Sequence, residues 1–340
     1  MSDAKARSIR AIMVRELSND IGIARCETIS LPPPKTGEVQ INLKAASVNF
    51  PDLLMVQGKY QHKPSLPFVP GMEGTGVVTE VGAEVSGFNV GDKIIAGLGI
   101  GGFAEATNVR AGAVRPLPQG LTFAEGAAYG TAYLTAYVSL VCRGSLQAGE
   151  NLLVHGAAGG VGMAAVEVGK ILGARVIATS ASDDKLAVVK TRGADAVVNV
   201  TNGFREQVLE LTNGQGADVI YDPVGGDVFD ESLRCIRWNG RLLVVGFASG
   251  RIPVAPVNIP LIKGFSIVGV RAGEYGRRDP QAGAQNIATI DGWAAEGKIS
   301  PYIGARFPLE QAVDAMRLLE TRQAIGKIVV MMDREQEKAH

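Results

Sequence analysis

Residues Asn151 to Leu172 read NLLVHGAAGGVGMAAVEVGKIL. A short uncharged apolar run ends at His155, a glycine-rich turn follows, and an apolar helical pattern starts at Met163. Strand, glycine turn and helix in this order form the first βα unit of a dinucleotide-binding fold. The turn fits A-x-G-x-x-G, with Ala157, Gly159 and Gly162 in the fingerprint positions. At such positions the second residue lets the backbone approach a pyrophosphate, and the third lets the helix pack close to its strand. The first helical turn also presents N–H groups that lack intrahelical acceptors, at the positive end of the helix dipole. Ala158, Gly159, Gly160 and Val161 are therefore the expected phosphate cradle.

Working outward, five more apolar runs follow: Arg175–Thr179, Ala196–Asn199, Ala217–Tyr221, Arg241–Val245 and Phe265–Val270. Helical patterns or turns separate them, as in a parallel sheet covered on both faces. On the N-terminal side, Val39–Leu43, Gly76–Val81 and Lys93–Ala96 read as strands punctuated by Pro32-Pro33-Pro34, Pro70-Gly71 and Gly91-Asp92. Beyond Gly273, helices are expected around Gln281–Glu296 and Leu309–Thr321, then a strand at Lys327–Met331 and a charged tail from Asp333 to His340. The fold class is α/β: a six-stranded doubly wound Rossmann domain, residues 125–268, inserted in a β-rich domain made of 1–124 and 269–340.

The tip of the second strand selects the cofactor. NAD-specific folds place an acid about 20 residues beyond the glycines, on the ribose hydroxyls. That window here holds Thr179, Ser180, Ala181 and Ser182, with Lys185 after it. Ser180 and Lys185 are expected at a 2′-phosphate, which favours NADPH. Ser182 also suits a helix cap, with Asp183 and Asp184 at the positive end of that helix. Gly246, Phe247 and Ser249 follow the fifth strand, at the carboxyl end where ligands bind in such sheets.

Composition excludes other classes. The 340 residues carry 34 basic and 34 acidic side chains, which argues against a nucleic-acid or anionic-membrane footprint. The polar start Met1–Arg10 shows no apolar leader core, and no apolar stretch reaches the roughly 20 residues of a span. Cys26, Cys142 and Cys235 are odd in number and scattered, as expected for buried free thiols in the cytoplasm. With His62, His155 and His340 isolated, no usual zinc ligand set can be assembled, so no metal is expected. The 43 glycines exceed the average of about 7% and signal many tight turns.

Several further motifs recur in order and spacing: Ala46-Ser47-Val48-Asn49-Phe50-Pro51-Asp52, Val69-Pro70-Gly71-Met72-Glu73-Gly74, Thr135-Ala136-Tyr137, Tyr221-Asp222-Pro223-Val224-Gly225-Gly226, Gly246 to Gly250 and Gly326-Lys327-Ile328-Val329. With Ala157–Gly162 they resemble, over essentially the whole chain, the zinc-free NADPH:quinone oxidoreductase (zeta-crystallin-like) branch of the medium-chain dehydrogenase/reductase superfamily. The resemblance implies a GroES-like catalytic domain around the Rossmann domain. Where zinc-dependent relatives carry Gly-His-Glu, this chain has Gly71-Met72-Glu73, and Glu73 is expected to be a buried, paired carboxylate.

Reduction of a small-molecule quinone or enone follows from the resemblance. Tyr60, in Gln57-Gly58-Lys59-Tyr60, is the implied proton donor, although its ring also suits packing on Pro64 or Pro67. Asn49 is the second implied catalytic residue, near the nicotinamide ribose or substrate, and Asp52 a helix cap. Thr135 is implied on the nicotinamide side, with a back-bonded helical threonine as the alternative. Arg322 and Lys327 hold positions where relatives offer a basic residue to the cofactor. Glu167 departs from a usual glutamine and Val200 from a tyrosine of some relatives. Two other activities stay open: an enoyl-thioester or alkenal double-bond reductase using Arg277-Arg278, and a non-catalytic NADPH-binding structural protein. A homodimer is expected through the edge strand 265–270.

Overall fold

The structure is a computed structural model and describes residues 6–332. In chain order it begins with β1 (Arg7–Met13), β2 (Arg25–Leu31), β3 (Glu38–Val48), α1 (Phe50–Val56), β4 (Glu73–Val81), β5 (Lys93–Gly97), β6 (Ala106–Arg110) and β7 (Val114–Pro116). After α2 (Phe123–Tyr137) comes the alternating block: β8 (Asn151–Val154), α3 (Gly160–Ile171), β9 (Arg175–Ser180), α4 (Asp183–Thr191), β10 (Ala196–Asn199), α5 (Arg205–Leu211) and β11 (Ala217–Asp222). It continues through α6 (Gly226–Ser232), β12 (Ile236–Val244), α7 (Asn258–Lys263), β13 (Ser266–Gly269), α8 (Ala272–Arg278) and α9 (Pro280–Ala295). The last described elements are β14 (Ile303–Pro308), α10 (Ala312–Glu320) and β15 (Lys327–Met331).

Two compact units divide the chain at Gly130/Thr131 and Ser300/Pro301. The first boundary lies a few residues from the expected 124/125 and falls inside α2. The second lies well beyond the expected 268/269, because the helices after the last parallel strand stay with the Rossmann unit. Trp293 of α9 meets Tyr137 edge-on at 5.4 Å, and the Cys142 thiol donates to Asn286 Oδ1 at 3.8 Å.

The Rossmann unit holds one parallel sheet in the order β10-β9-β8-β11-β12-β13. The order reverses next to β8, the strand that ends in the glycine turn, and ligands bind such sheets at this switch point. The strands are apolar because both faces are covered. Leu152, Leu153, Val154, Val176, Ile177 and Ala178 have no exposed surface.

The other unit is built on a seven-stranded sheet in the order β14-β15-β3-β4-β5-β7, with β6 also on β3, and a separate β1–β2 ribbon. Its long strand β3 alternates and Asn49, the N-cap of α1 just past its end, keeps the extended backbone, so Ser47 and Asn49 share one side of the chain while Ala46 and Val48 lie on the other. Ile12, Ile41, Leu43, Val78, Ile94 and Met316 fill its core. The register Ala46↔Gly74 sets Ser47 beside the start of β4, where Glu73 stands. Cys26, expected to be buried, is exposed on β2, a ribbon strand with alternating exposed residues; Cys142 is half-buried and Cys235 buried. The tail Asp333–His340 lies outside the described residues.

Candidate cofactor and active-site residues

The glycine turn takes the form the sequence pattern requires. Gly156 has φ +56° and Gly159 is the N-cap of α3. A Cβ on Gly162 would fall 2.3 Å from Gly156 O and 2.8 Å from Ala157 Cα, so only glycine fits there. A Cβ on Gly159 would meet nothing nearer than Gly156 O at 3.4 Å, which leaves that side of the turn open. The helix starts at Gly160, three residues before the expected Met163, so Gly160 and Val161 belong to its first turn. No acid in that turn offsets the positive end of the dipole.

At the tip of β9, Ser182 is the N-cap of α4 and accepts from Lys185 N at 3.4 Å. Asp183 accepts from Asn199 Nδ2 at 2.7 Å. Ser180 and Lys185 are half-buried, and burial draws the Lys185 ammonium pKa down. One residue back along β9, Thr179 is buried on His155, an interaction the sequence did not announce. His155 Nδ1 lies 2.9 Å from Thr179 Oγ1 and Nε2 2.8 Å from Ser232 Oγ. The Ser232 hydroxyl donates to Val228 O, so its oxygen accepts from Nε2–H, and Nδ1 accepts from Thr179. Burial pushes the His155 pKa down to about 3, which keeps this bridge neutral.

The motifs at 221–226 and 246–250 meet. Asp222 Oδ1 accepts from Val224 N and Gly225 N at 2.8 and 2.9 Å, while Ala248 N and Ser249 N donate to Pro223 O and Val224 O. A Cβ on Gly226 would lie 2.7 Å from Ser249 Oγ. Gly246, Phe247 and Ser249 thus sit on one ordered shelf at the carboxyl ends of β11 and β12. Phe247 stays 38% exposed there, available to a flat ligand. Thr135 is back-bonded: its hydroxyl donates to Thr131 O at 2.7 Å, so only its oxygen lone pairs remain to accept.

Glu167 has a physical account. Its Oε2 accepts from Tyr133 Oη at 2.5 Å and from Ser300 N at 3.3 Å, and its Oε1 accepts from Arg192 Nε at 2.9 Å. Arg192 neutralises this buried carboxylate. Arg271, Arg277 and Arg278, by contrast, all pair with Glu274, at 3.8, 3.1 and 2.8 Å. One carboxylate shared by three guanidiniums leaves that exposed cluster net positive.

In the β-rich unit the structure brings Asn49 and Lys327 together with Glu73. Glu73 Oε1 accepts from Ser47 Oγ at 2.6 Å, Asn49 Nδ2 at 3.0 Å and Lys327 Nζ at 3.4 Å. Lys327 Nζ also donates to Asn49 Oδ1 at 2.7 Å. All four side chains are buried. Glu73 is the paired carboxylate expected, while the functional ends of Asn49 and Lys327 point at it. Ser47 was not anticipated; its place two residues before Asn49 in an extended run is the signal that was available. Asp52 closes α1 from within, accepting from Asn49 N at 2.8 Å and Gly71 N at 3.0 Å. Its burial raises the carboxyl pKa to about 7, against the two N–H bonds that lower it. Tyr60 is half-buried against the core edge, and Arg322 is exposed on a turn with φ +57°.

Comparison with known proteins agrees with this geometry. The Alcohol dehydrogenase GroES-like domain family matches residues 35–119, and the Zinc-binding dehydrogenase family matches residues 160–289. Quinone oxidoreductase-like protein 2 homolog of Nematostella vectensis is 39% identical, over 95% of this chain and 89% of its own. The chain belongs to the zinc-free quinone-oxidoreductase branch of the medium-chain dehydrogenase/reductase superfamily. Human quinone oxidoreductase is 31% identical, over 95% of this chain and 98% of its own. The crystal structure of Escherichia coli quinone oxidoreductase complexed with NADPH superposes with a TM-score of 0.86 at 27% identity, covering 96% of this chain and 99% of that one. This medium-chain oxidoreductase departs from the zinc in one family's description, since Met72 stands where a histidine ligand would. Among the described residues no group of three or more His, Cys, Asp or Glu side chains is placed to hold a metal, and no helix is long and apolar enough to cross a membrane.

Proposed function

We propose that this oxidoreductase uses NADPH to reduce a quinone or a similarly activated carbonyl acceptor without a metal. The observation that carries the reading is the tip of β9. Hydroxyls of Ser180 and Ser182 and the Lys185 ammonium occupy the place where NAD-specific folds keep an acid, and the neighbouring Asp183 is engaged by Asn199. The likeness to a quinone oxidoreductase solved with NADPH supports it.

When bound, NADPH supplies the hydride. The turn's N–H groups at Ala158, Gly160 and Val161 would hold the pyrophosphate, Gly159, whose own N–H is spent on Gly156 O at 2.9 Å, would leave room for its approach, and Ser180 and Lys185 would hold the 2′-phosphate. Gly246, Phe247 and Ser249 form the facing shelf, and Thr135 offers an acceptor oxygen. Tyr60 donates its phenolic proton to the acceptor oxygen as that oxygen gains charge. Asn49 and Lys327 contribute through the Glu73 network, and Arg322 adds positive charge at the cofactor. Steady-state oxidation of NADPH with 1,4-benzoquinone, crotonyl-CoA and an alkenal tests the substrate class. Turnover confined to the quinone is expected. Preference for the thioester or alkenal would transfer the assignment to a double-bond reductase, and turnover of none would favour a non-catalytic role.

We also propose a cytoplasmic homodimer formed across β13. The three thiols are free, and β13 ends its sheet. Trp238, Ile252, Val254, Val257, Leu261 and Ile262, on β12, the following loop and α7, are 69–84% exposed. Exposed apolar side chains on the elements next to a sheet edge suit a second copy. Sedimentation at micromolar concentration should give the dimer mass, and a monomer would overturn it.

A further inference from the structure

One buried threonine links the glycine turn to the tip of β9. Thr179 is the penultimate residue of that strand and is 1% exposed, so it touches no ligand itself. Its carbonyl oxygen accepts from Ala157 N at 3.0 Å, and its hydroxyl donates to His155 Nδ1 at 2.9 Å. These two partners flank Gly156, whose φ of +56° starts the glycine turn. His155 is fully buried and is itself held from three more directions. Its backbone N–H donates to Tyr221 O at 3.0 Å, its Nε2–H donates to Ser232 Oγ at 2.8 Å, and its ring meets Phe204 edge-on at 4.8 Å.

On its other side Thr179 leads directly into Ser180, whose carbonyl accepts from Val200 N at 3.0 Å, and then to the Ser182 cap that accepts from Lys185 N. A pyrophosphate would sit on the turn and a 2′-phosphate on Ser180 and Lys185, so Thr179 stands at the junction of two anion subsites. A ligand with a phosphate for each gains from both only while the spacing between them is fixed in advance. We propose that His155 and Thr179 are positioning residues for the cofactor. Their hydrogen bond fixes the distance from the glycine turn to Ser180 and Lys185, and with it the discrimination between NADPH and NADH. This role rests on the NADPH reading above and adds to it a residue pair that meets no ligand.

Isothermal titration of the full chain with 2′,5′-ADP, 5′-AMP and 2′-AMP tests this, because the first carries a phosphate for each subsite and the others carry one. The parent should bind 2′,5′-ADP tighter than either monophosphate. Thr179→Val keeps the shape of the side chain and removes its donor. It should weaken 2′,5′-ADP by roughly three- to tenfold, the worth of one net hydrogen bond, and leave both monophosphates within about twofold. Thr179→Ser, which keeps the hydroxyl, should hold the parent's affinity for 2′,5′-ADP. Should Thr179→Val fail to fold, Thr179→Val combined with His155→Leu also removes the stranded Nδ1 and carries the same expectation. A parent that binds 2′,5′-ADP no tighter than 5′-AMP would overturn the NADPH reading and this role with it. Where the parent does prefer 2′,5′-ADP, an undiminished preference in a folded Thr179→Val protein, or an equal loss for all three ligands, would overturn the role alone.

Discussion

Lys327 and Glu73 form a buried ion pair, Nζ to Oε1 3.4 Å, with side chains 7% and 4% exposed. Two charges this deep persist because hydrogen bonds satisfy them on several sides. Ser47 and Asn49 donate to the carboxylate, and Asn49 Oδ1 accepts from the ammonium. Removing one partner strands the other. Lys327→Met should therefore cost roughly 3–5 kcal/mol of stability, and Lys327→Met with Glu73→Gln should cost less than the single change. Urea unfolding of Lys327→Met, Glu73→Gln and the double variant checks this. Additive losses would mean that the pair is not coupled.

Two buried titratable groups give stability opposite slopes with pH. Asp52, held at about 7 by burial, lies above its ordinary 3.8. Its protonated form suits the fold, so the stability it contributes is full below about pH 4 and is lost as pH rises through 7. His155, held at about 3, lies below its ordinary 6.5. Its contribution is full above pH 6.5 and is lost as pH falls towards 3. Unfolding followed from pH 4 to 8 should show Asp52→Asn flattening the loss over pH 4–7, and His155→Gln flattening the loss below 6.5. Each effect should be on the order of 2–4 kcal/mol across its window. Unchanged profiles in both variants would contradict the burial assigned to these groups.

The glycine turn separates a packing glycine from a binding glycine. Gly162→Ala places a Cβ 2.3 Å from a carbonyl oxygen and should destabilise the protein by roughly 1–3 kcal/mol. Gly159→Ala meets only a 3.4 Å contact and should fold normally while losing NADPH affinity at least about tenfold, since its methyl occupies the approach to the pyrophosphate. Thermal melts paired with NADPH fluorescence titrations distinguish the two, and equal NADPH affinity in a folded Gly159→Ala protein would refute the cradle.

Tyr60 belongs to chemistry rather than packing on this account. Tyr60→Phe keeps the ring against the core and removes the proton, so kcat for quinone reduction should fall by roughly 10²-fold with little change in melting temperature. An unchanged kcat on every acceptor would remove Tyr60 from the mechanism.

The parallel sheet was legible because both its faces are covered, which turns every strand into a continuous apolar run. All six runs are strands, and the glycines mark the first turn. The β1–β2 ribbon was not: RSIRAIM and RCETISL interleave charged and apolar residues, and their pairing is visible only across the register Arg7↔Leu31 to Met13↔Arg25. Helices α8 and α9 follow the last run without a break in composition, so nothing local assigns them to the Rossmann unit. At the site, Glu73 could be read as a paired carboxylate from its motif. Its partner could not, because Lys327 lies 254 residues further along the chain. The His155 bridge was hidden for the same reason, its acceptor Ser232 lying 77 residues away.

The central claim is a phosphate-selective cofactor site built on Ser180 and Lys185, serving quinone reduction. Its most direct test is kcat/KM for 1,4-benzoquinone reduction with NADPH and NADH, in the parent and in Lys185→Ala. The parent should prefer NADPH by at least about tenfold, one lost charge-assisted contact being worth roughly 1.5–3 kcal/mol, and Lys185→Ala should surrender most of that preference while its NADH rate holds. Equal use of both cofactors by the parent, or a preference that survives in Lys185→Ala, would contradict the account.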